Sequence, residues 1–92
     1  MDEKVRQVVQ AVADAFNERK LNRAEAVEVC GNIIYMVGCS LERIPGGKRG
    51  PNLREAKTRL WNSSSAGNTM IVMGLLMLDM AAKEKRKRGK DE

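Results

Sequence analysis

Ninety-two residues leave room for one domain and a modest core. The composition is 42% hydrophobic with a single Phe, Tyr and Trp, which argues against a disordered chain and excludes an aromatic core. Charge is lopsided: residues 1–45 hold six Lys/Arg against seven Asp/Glu, −1, and residues 46–92 hold eleven against five, +6, so an anionic partner is expected for the second half.

The opening residues, MDEKVRQVV, are charged and amphipathic rather than a signal peptide, and a cytoplasmic location is expected. From about Asp2 to Glu18, Val5, Val8, Val9, Val12 and Phe16 fall at the spacing of a helix with one packed face. Asp2 and Glu3 suit the positive end of its dipole. A short turn at Lys20–Leu21 follows.

Asn22, with Glu25 three residues on, has the pattern of a capping box. It opens a second helix from about Arg23 to Leu41, whose main apolar stripe is Val27, Cys30, Ile34, Val37 and Leu41. Beside that stripe Ala24, Gly31 and Gly38 recur every seven residues. Glycine inside a helix costs about 1 kcal/mol relative to alanine, so two in line predict an element packed close to the backbone. Cys30 and Cys39 stand on opposite sides of this helix, cannot pair with each other and are expected to be reduced core thiols.

The stretch ERIPGGKRGPN reads as a loop. Asn52 and Glu55 repeat the capping-box pattern and start a third helix, with Leu53, Ala56, Leu60 and Trp61 as its apolar side and Arg54, Lys57 and Arg59 on other faces. NSSSAGN resists helix and reads as a break between helices or a weak stretch inside one long helix, with a break or kink favoured. The last helix is expected to begin near Ser65–Thr69. Met70, Met73, Met77 and Met80 form its stripe, and Gly67, Gly74 and Ala81 echo the small-residue line of the second helix. The two helices are expected to meet along these lines.

From Met70 to Leu78 every residue is apolar or glycine, which calls for burial all round. The run is far below the roughly 20 residues of a membrane span, and no membrane contact is expected. A small bundle cannot enclose such a helix alone. The chain is therefore expected to be all-α, a bundle of three to four helices over residues 1–82 completed by homo-oligomerisation. Met70, Met73, Gly74, Met77 and Met80 are the expected interface, and residues 83–92 a basic tail.

The chain has no histidine, which removes Ser-His and Cys-His nucleophile pairs and the usual zinc sites. GGKRG lacks the spacing of a phosphate-binding Walker loop, and no carboxylate pair suggests acid/base catalysis. Neither an enzyme nor a cofactor is expected. Anion binding has more behind it. Lys48, Arg49, Arg54, Lys57 and Arg59 supply charge, and Ser64, Ser65, Asn68 and Thr69 supply donors before the last helix. The leading expectation is a non-enzymatic binding protein for a phosphate-bearing ligand, nucleic-acid backbone or nucleotide, gripped by residues 48–69. Only Trp61 and Tyr35 offer a stacking platform, so sequence-specific reading is not expected. The alternative is a small adaptor or inhibitor that docks onto a larger protein, covering a surface that otherwise holds nucleic acid.

Overall fold

The computed structural model describes residues 1–44 and 50–91, with side chains as far as Lys87. Four helices account for it: α1 (Glu3–Glu18), α2 (Arg23–Leu41), α3 (Leu53–Asn62) and α4 (Ala66–Asp91). Among the described residues there is no strand.

The helix ends follow from local chemistry. Asp2 Oδ1 accepts the Lys4 N–H at the head of α1, at 2.9 Å. Asn22 Oδ1 accepts the Glu25 N–H while Glu25 Oε1 accepts the Asn22 N–H, at 2.9 and 3.0 Å. Asn52 and Glu55 make the same reciprocal pair at the head of α3, so both expected capping boxes form. α1 and α2 close with one shared motif. The Leu21 N–H donates to the Phe16 carbonyl (3.1 Å) and the Ile44 N–H to the Cys39 carbonyl (2.9 Å). Lys20 (φ 52) and Arg43 (φ 58) occupy the left-handed positions that this motif requires.

α2 and α4 run antiparallel. Arg23 pairs with Glu84 at 2.7 Å near one end of the seam, and Gly38 lies on Gly67 near the other. Between them the two backbones nearly touch. A Cβ at Gly38 would stand 2.8 Å from the Gly67 carbonyl oxygen, and one at Gly74 would stand 2.7 Å from the Tyr35 nitrogen. The same register sets Ala24 opposite Ala81, both buried. The two lines of small residues are thus the two sides of one seam. Gly74, expected between copies, packs within the chain.

What flanks the seam differs on its two sides. On one side Tyr35 and Cys39 of α2, with Ile71, Val72 and Leu75 of α4, receive Leu53, Ala56 and Leu60 of α3. This small core contains Ile71, among the described residues the only large side chain that is fully buried. On the other side, helix periodicity brings the stripe of Val27, Cys30, Ile34, Val37 and Leu41 beside that of Met70, Met73, Met77 and Met80. No described element covers this face. Val37, Leu41 and Met73 are exposed, and Met80 is 62% exposed. Enclosure of the whole Met70–Leu78 run was expected. Within one chain Ile71, Val72 and Gly74 are enclosed, whereas Met73 and Leu76 are not, because α3 shields one side only.

α1 stands apart. It contains no buried residue, only Val12 and Phe16 are half-buried, and no described element makes extended contact along it. Val5, Val8 and Val9 are exposed. The molecule measures 41 × 41 × 24 Å with a radius of gyration of 15.0 Å, against about 12 Å for a compact domain of this length. At 1.5 Å per residue α4 spans about 39 Å, which accounts for one long dimension. α1, projecting from the end of the hairpin, accounts for the other. The basic run expected as a tail continues α4 to Asp91. Lys85 pairs with Glu28 of α2, and Lys83 pairs with Asp79 at 3.0 Å.

The seam should be the most substitution-sensitive part of the fold. Gly38→Ala is expected to lower stability by about 2 kcal/mol, because backbone rather than a flexible side chain opposes the new methyl. Ser40→Ala, exposed on the same helix, should stay within about 0.5 kcal/mol. Urea unfolding midpoints of the two variants check this.

Candidate functional site

The segment expected to hold an anion begins at Lys48 and Arg49, which lie outside the described residues. Its first described residues, Gly50 and Pro51, are tied to α2. The Tyr35 hydroxyl donates to the Pro51 carbonyl at 3.0 Å. A side chain at Gly50 would collide with that hydroxyl, so glycine is required for the chain to pass. Burial raises the Tyr35 phenol above its ordinary value of 10.0, with further contributions from the Cys39 thiol and the Glu55 carboxylate. An open cleft nearby carries Glu42 and Glu55 beside Arg43 and Arg59. Among the described residues its two carboxylates and two guanidiniums offset one another.

α3 presents two faces. Leu53, Ala56 and Leu60 point into the core. Arg54, Lys57 and Thr58 are exposed, Lys57 at the margin of the core side and Thr58 opposite it, and the Thr58 hydroxyl donates to the Arg54 carbonyl at 3.2 Å. Trp61 completes this outer face at 90% exposure. Trp61 is expected on the apolar side of α3. Packing decides otherwise: with Leu53, Ala56 and Leu60 turned to the core, Trp61 is left in solvent, one turn from Lys57. Among the described residues the side chains of Arg54 and Lys57 have no hydrogen-bond or ion-pair partner.

The expected hydroxyl and amide donors serve the elbow between α3 and α4. Ser65 Oγ accepts the Asn68 N–H at 3.1 Å and donates to Glu42 Oε2 at 3.0 Å. Asn68 is 3% exposed. Its side-chain amide donates to the Ser63 carbonyl (3.0 Å) and the Arg59 carbonyl (3.4 Å), and its oxygen accepts from Arg59 Nε (3.2 Å). The Thr69 hydroxyl donates to the Ser65 carbonyl at 2.8 Å. Ser64 is exposed and lies between the helices.

An anion does sit at the head of α4, and the chain supplies it. Glu42, just past the end of α2, bonds Ser65 and lies 3.9 Å from the Arg59 guanidinium. A Cβ at Gly67 would stand 2.5 Å from Glu42 Oε2, so glycine in the first turn of α4 lets the carboxylate approach the helix end, where the dipole favours negative charge. Arg59, expected to meet a ligand, is half-buried between Glu42 and Asn68. The two basic features of the sequence are also separated. α3 packs on the first half of α4, whereas Lys83 to Lys87 lie along the second half, beside Glu28 and Arg23.

Compared with known protein families, curated proteins and solved structures, the chain matches none of them.

Two predictions test this arrangement. Asn68→Ala removes the amide donor of the Ser63 carbonyl and the partner of Arg59 Nε, while the Arg59 carbonyl keeps the Ser63 N–H at 2.9 Å, and should cost about 1–2 kcal/mol. Thr69→Ala, at an exposed position, should cost less than about 1 kcal/mol, both read by thermal unfolding. Tyr35 is the only tyrosine, so tyrosinate absorbance reports it alone. In the folded protein it should ionise above 10.0. Because the folded state holds this proton more tightly than the unfolded state, its contribution is complete below that pH and is lost as pH rises through the raised value.

Proposed function

We propose that this protein is a non-enzymatic binding protein for a phosphate-bearing polymer, single-stranded nucleic acid gripped without regard to sequence, through the outer face of α3. The observation that carries this reading is Trp61. An indole nine-tenths in water contributes little to the fold. Here it shares a helix face with two unpartnered cations, Arg54 and Lys57. A base stacked on the indole would leave its flanking phosphates to the guanidinium and the ammonium. No group on this face is arranged to read base edges. The inward-turned hydrogen bonds of Ser65, Asn68 and Thr69 favour a polymer held by its backbone over a nucleotide held in a cradle.

In this reading the apolar side of the α2–α4 hairpin is covered by another copy of the chain, and the protein acts as a homo-oligomer with its α3 faces outward. A second reading has that side dock onto a larger protein. The exposure of Met73 and Met80 favours it, since a broad Met-bearing apolar surface suits a partner. A membrane is a poorer occupant. α2 is long and apolar enough to cross one by length and composition. Yet α3 packs alongside the hairpin, and a bilayer spanning α2 would submerge Arg54, Glu55 and Lys57.

Trp61 is the only tryptophan, so its fluorescence is a built-in probe. Titration with a short oligothymidylate at low salt should quench it, and the affinity should fall steeply as salt is raised. Arg54→Ala and Lys57→Ala should each lower the slope of log affinity against log salt by about 1. Trp61→Ala, followed by anisotropy of a labelled oligonucleotide, should lose about 1–3 kcal/mol of binding. A fluorescence and anisotropy signal unmoved by oligonucleotide at low salt would exclude this function and leave the docking reading.

A further inference from the structure

We infer that the apolar side of the α2–α4 hairpin is covered by α1 of a second copy of this chain, in a reciprocal exchange that forms a two-fold dimer. This rests on the reading of the protein as a homo-oligomer and names the element that makes the contact.

Among the described residues two apolar surfaces are left largely uncovered in one chain. The ridge of α1 consists of Val5, Val8, Val9, Val12 and Phe16, with Gln7, Gln10, Asp14 and Asn17 on the other side. The hairpin face consists of the α2 stripe from Val27 to Leu41 and the methionines of α4. At 1.5 Å per residue the ridge is about 17 Å long and the α2 stripe about 21 Å, so one lies along the other with the polar side of α1 left to solvent. Each copy offers one ridge and one face. A two-fold axis satisfies both at once, with no surplus and no third component.

α1 does not cover its own hairpin. It meets α2 through residues 19–22, and this junction is capped from both directions. The Leu21 N–H is held by the Phe16 carbonyl, the Asn22 N–H by Glu25 Oε1, and Lys20 lies in the left-handed region between them. The result is a helix projecting from the hairpin end, in the 41 × 41 × 24 Å outline of the molecule.

The area is also sufficient. A fully buried Val, Leu, Ile or Met side chain removes roughly 60–120 Å² of apolar surface from water. With half of the ridge and face residues about half exposed and the rest less so, each copy has roughly 500 Å² to cover. Apolar atoms make up about three-fifths of an interface, so the total is about 800 Å² per copy. That is the size of a stable, specific protein contact.

Light scattering on the full chain comes first and should give twice the 10.3 kDa chain mass. Disulfide trapping then locates α1. In a Cys39→Ala background, Val5, Val8, Val9 and Val12 are changed to Cys one at a time and oxidised, leaving Cys30 on the hairpin face as the only partner. At least one of these should give a covalent dimer on a non-reducing gel, absent when Cys30→Ser is added. Gln7→Cys, on the polar side of α1, should give none with Cys30. Val8→Asp should halve the particle mass while helical circular dichroism is retained. A dimer that traps no ridge position, or that survives Val8→Asp, overturns the role of α1 but leaves the oligomer. Intrachain disulfides show α1 folded on its own hairpin and overturn the exchange. A wild-type chain that stays monomeric overturns the inference together with the oligomer reading on which it rests.

Discussion

The close approach of α2 and α4 is the constraint from which the rest of the structure follows. Two helices normally stand 8–10 Å apart, separated by their side chains. Here Gly31, Gly38, Gly67 and Gly74 remove those side chains from the line of contact, and carbonyl oxygens face glycine Cα atoms directly. Such a seam gains dispersion contact along its whole length, but it has no room for large side chains. Leu, Ile, Val and Met are therefore displaced to the two flanks. The hairpin becomes a thin slab with two apolar faces, where a wider-spaced pair would have kept part of its core between the helices.

A slab with two faces needs two covers. α3 provides one, and the devices that hold it are unusually specific for so short a helix. Tyr35 fixes the chain at Pro51, the Asn52–Glu55 box starts the helix, and buried Asn68 ties its end to the start of α4. These bonds fix which side of α3 faces out. A helix of 10 residues is marginal by itself, so its outer face is presented only because the inner one is pinned. The position of Arg54, Lys57 and Trp61 is in this sense a product of the seam: it placed Ile71 and Val72 on the flank where Ala56 docks.

Charge is distributed by the same logic. The second half of the chain is strongly basic, and three of its eleven cations are answered within the molecule: Arg59 by Glu42, Lys83 by Asp79 and Lys85 by Glu28. Exposed pairs of this kind contribute little to stability. Their consequence is positional: among the described residues of the second half, Arg54 and Lys57 are left without such a partner on α3. The head of α4, the natural place for a bound anion, is taken by Glu42, whose access depends on Gly67.

Residues three, four and seven apart determined much of this protein without reference to the fold. The all-helical character, both capping boxes and the pairing of the two glycine lines depend on neighbours within about two turns, or on a heptad repeat that survives any packing, whereas the separation of α3 from α4 at Ser63–Ser65 stayed open between a break and one long helix. Tertiary structure decided what those elements turn towards. Trp61 reads as a core residue beside Leu60, and only the docking of Ala56 turns it outward. Ser65 and Asn68 read as free donors, and the arrival of Glu42 and of Arg59 adds the distant partners that occupy them, whereas Thr69 is taken locally by the Ser65 carbonyl. α1 has the periodicity of a packed helix, but whether anything packs on it depends on where the capped junction at Lys20 points it. The orientation of a face is set by partners distant in sequence, and no local spacing encodes them.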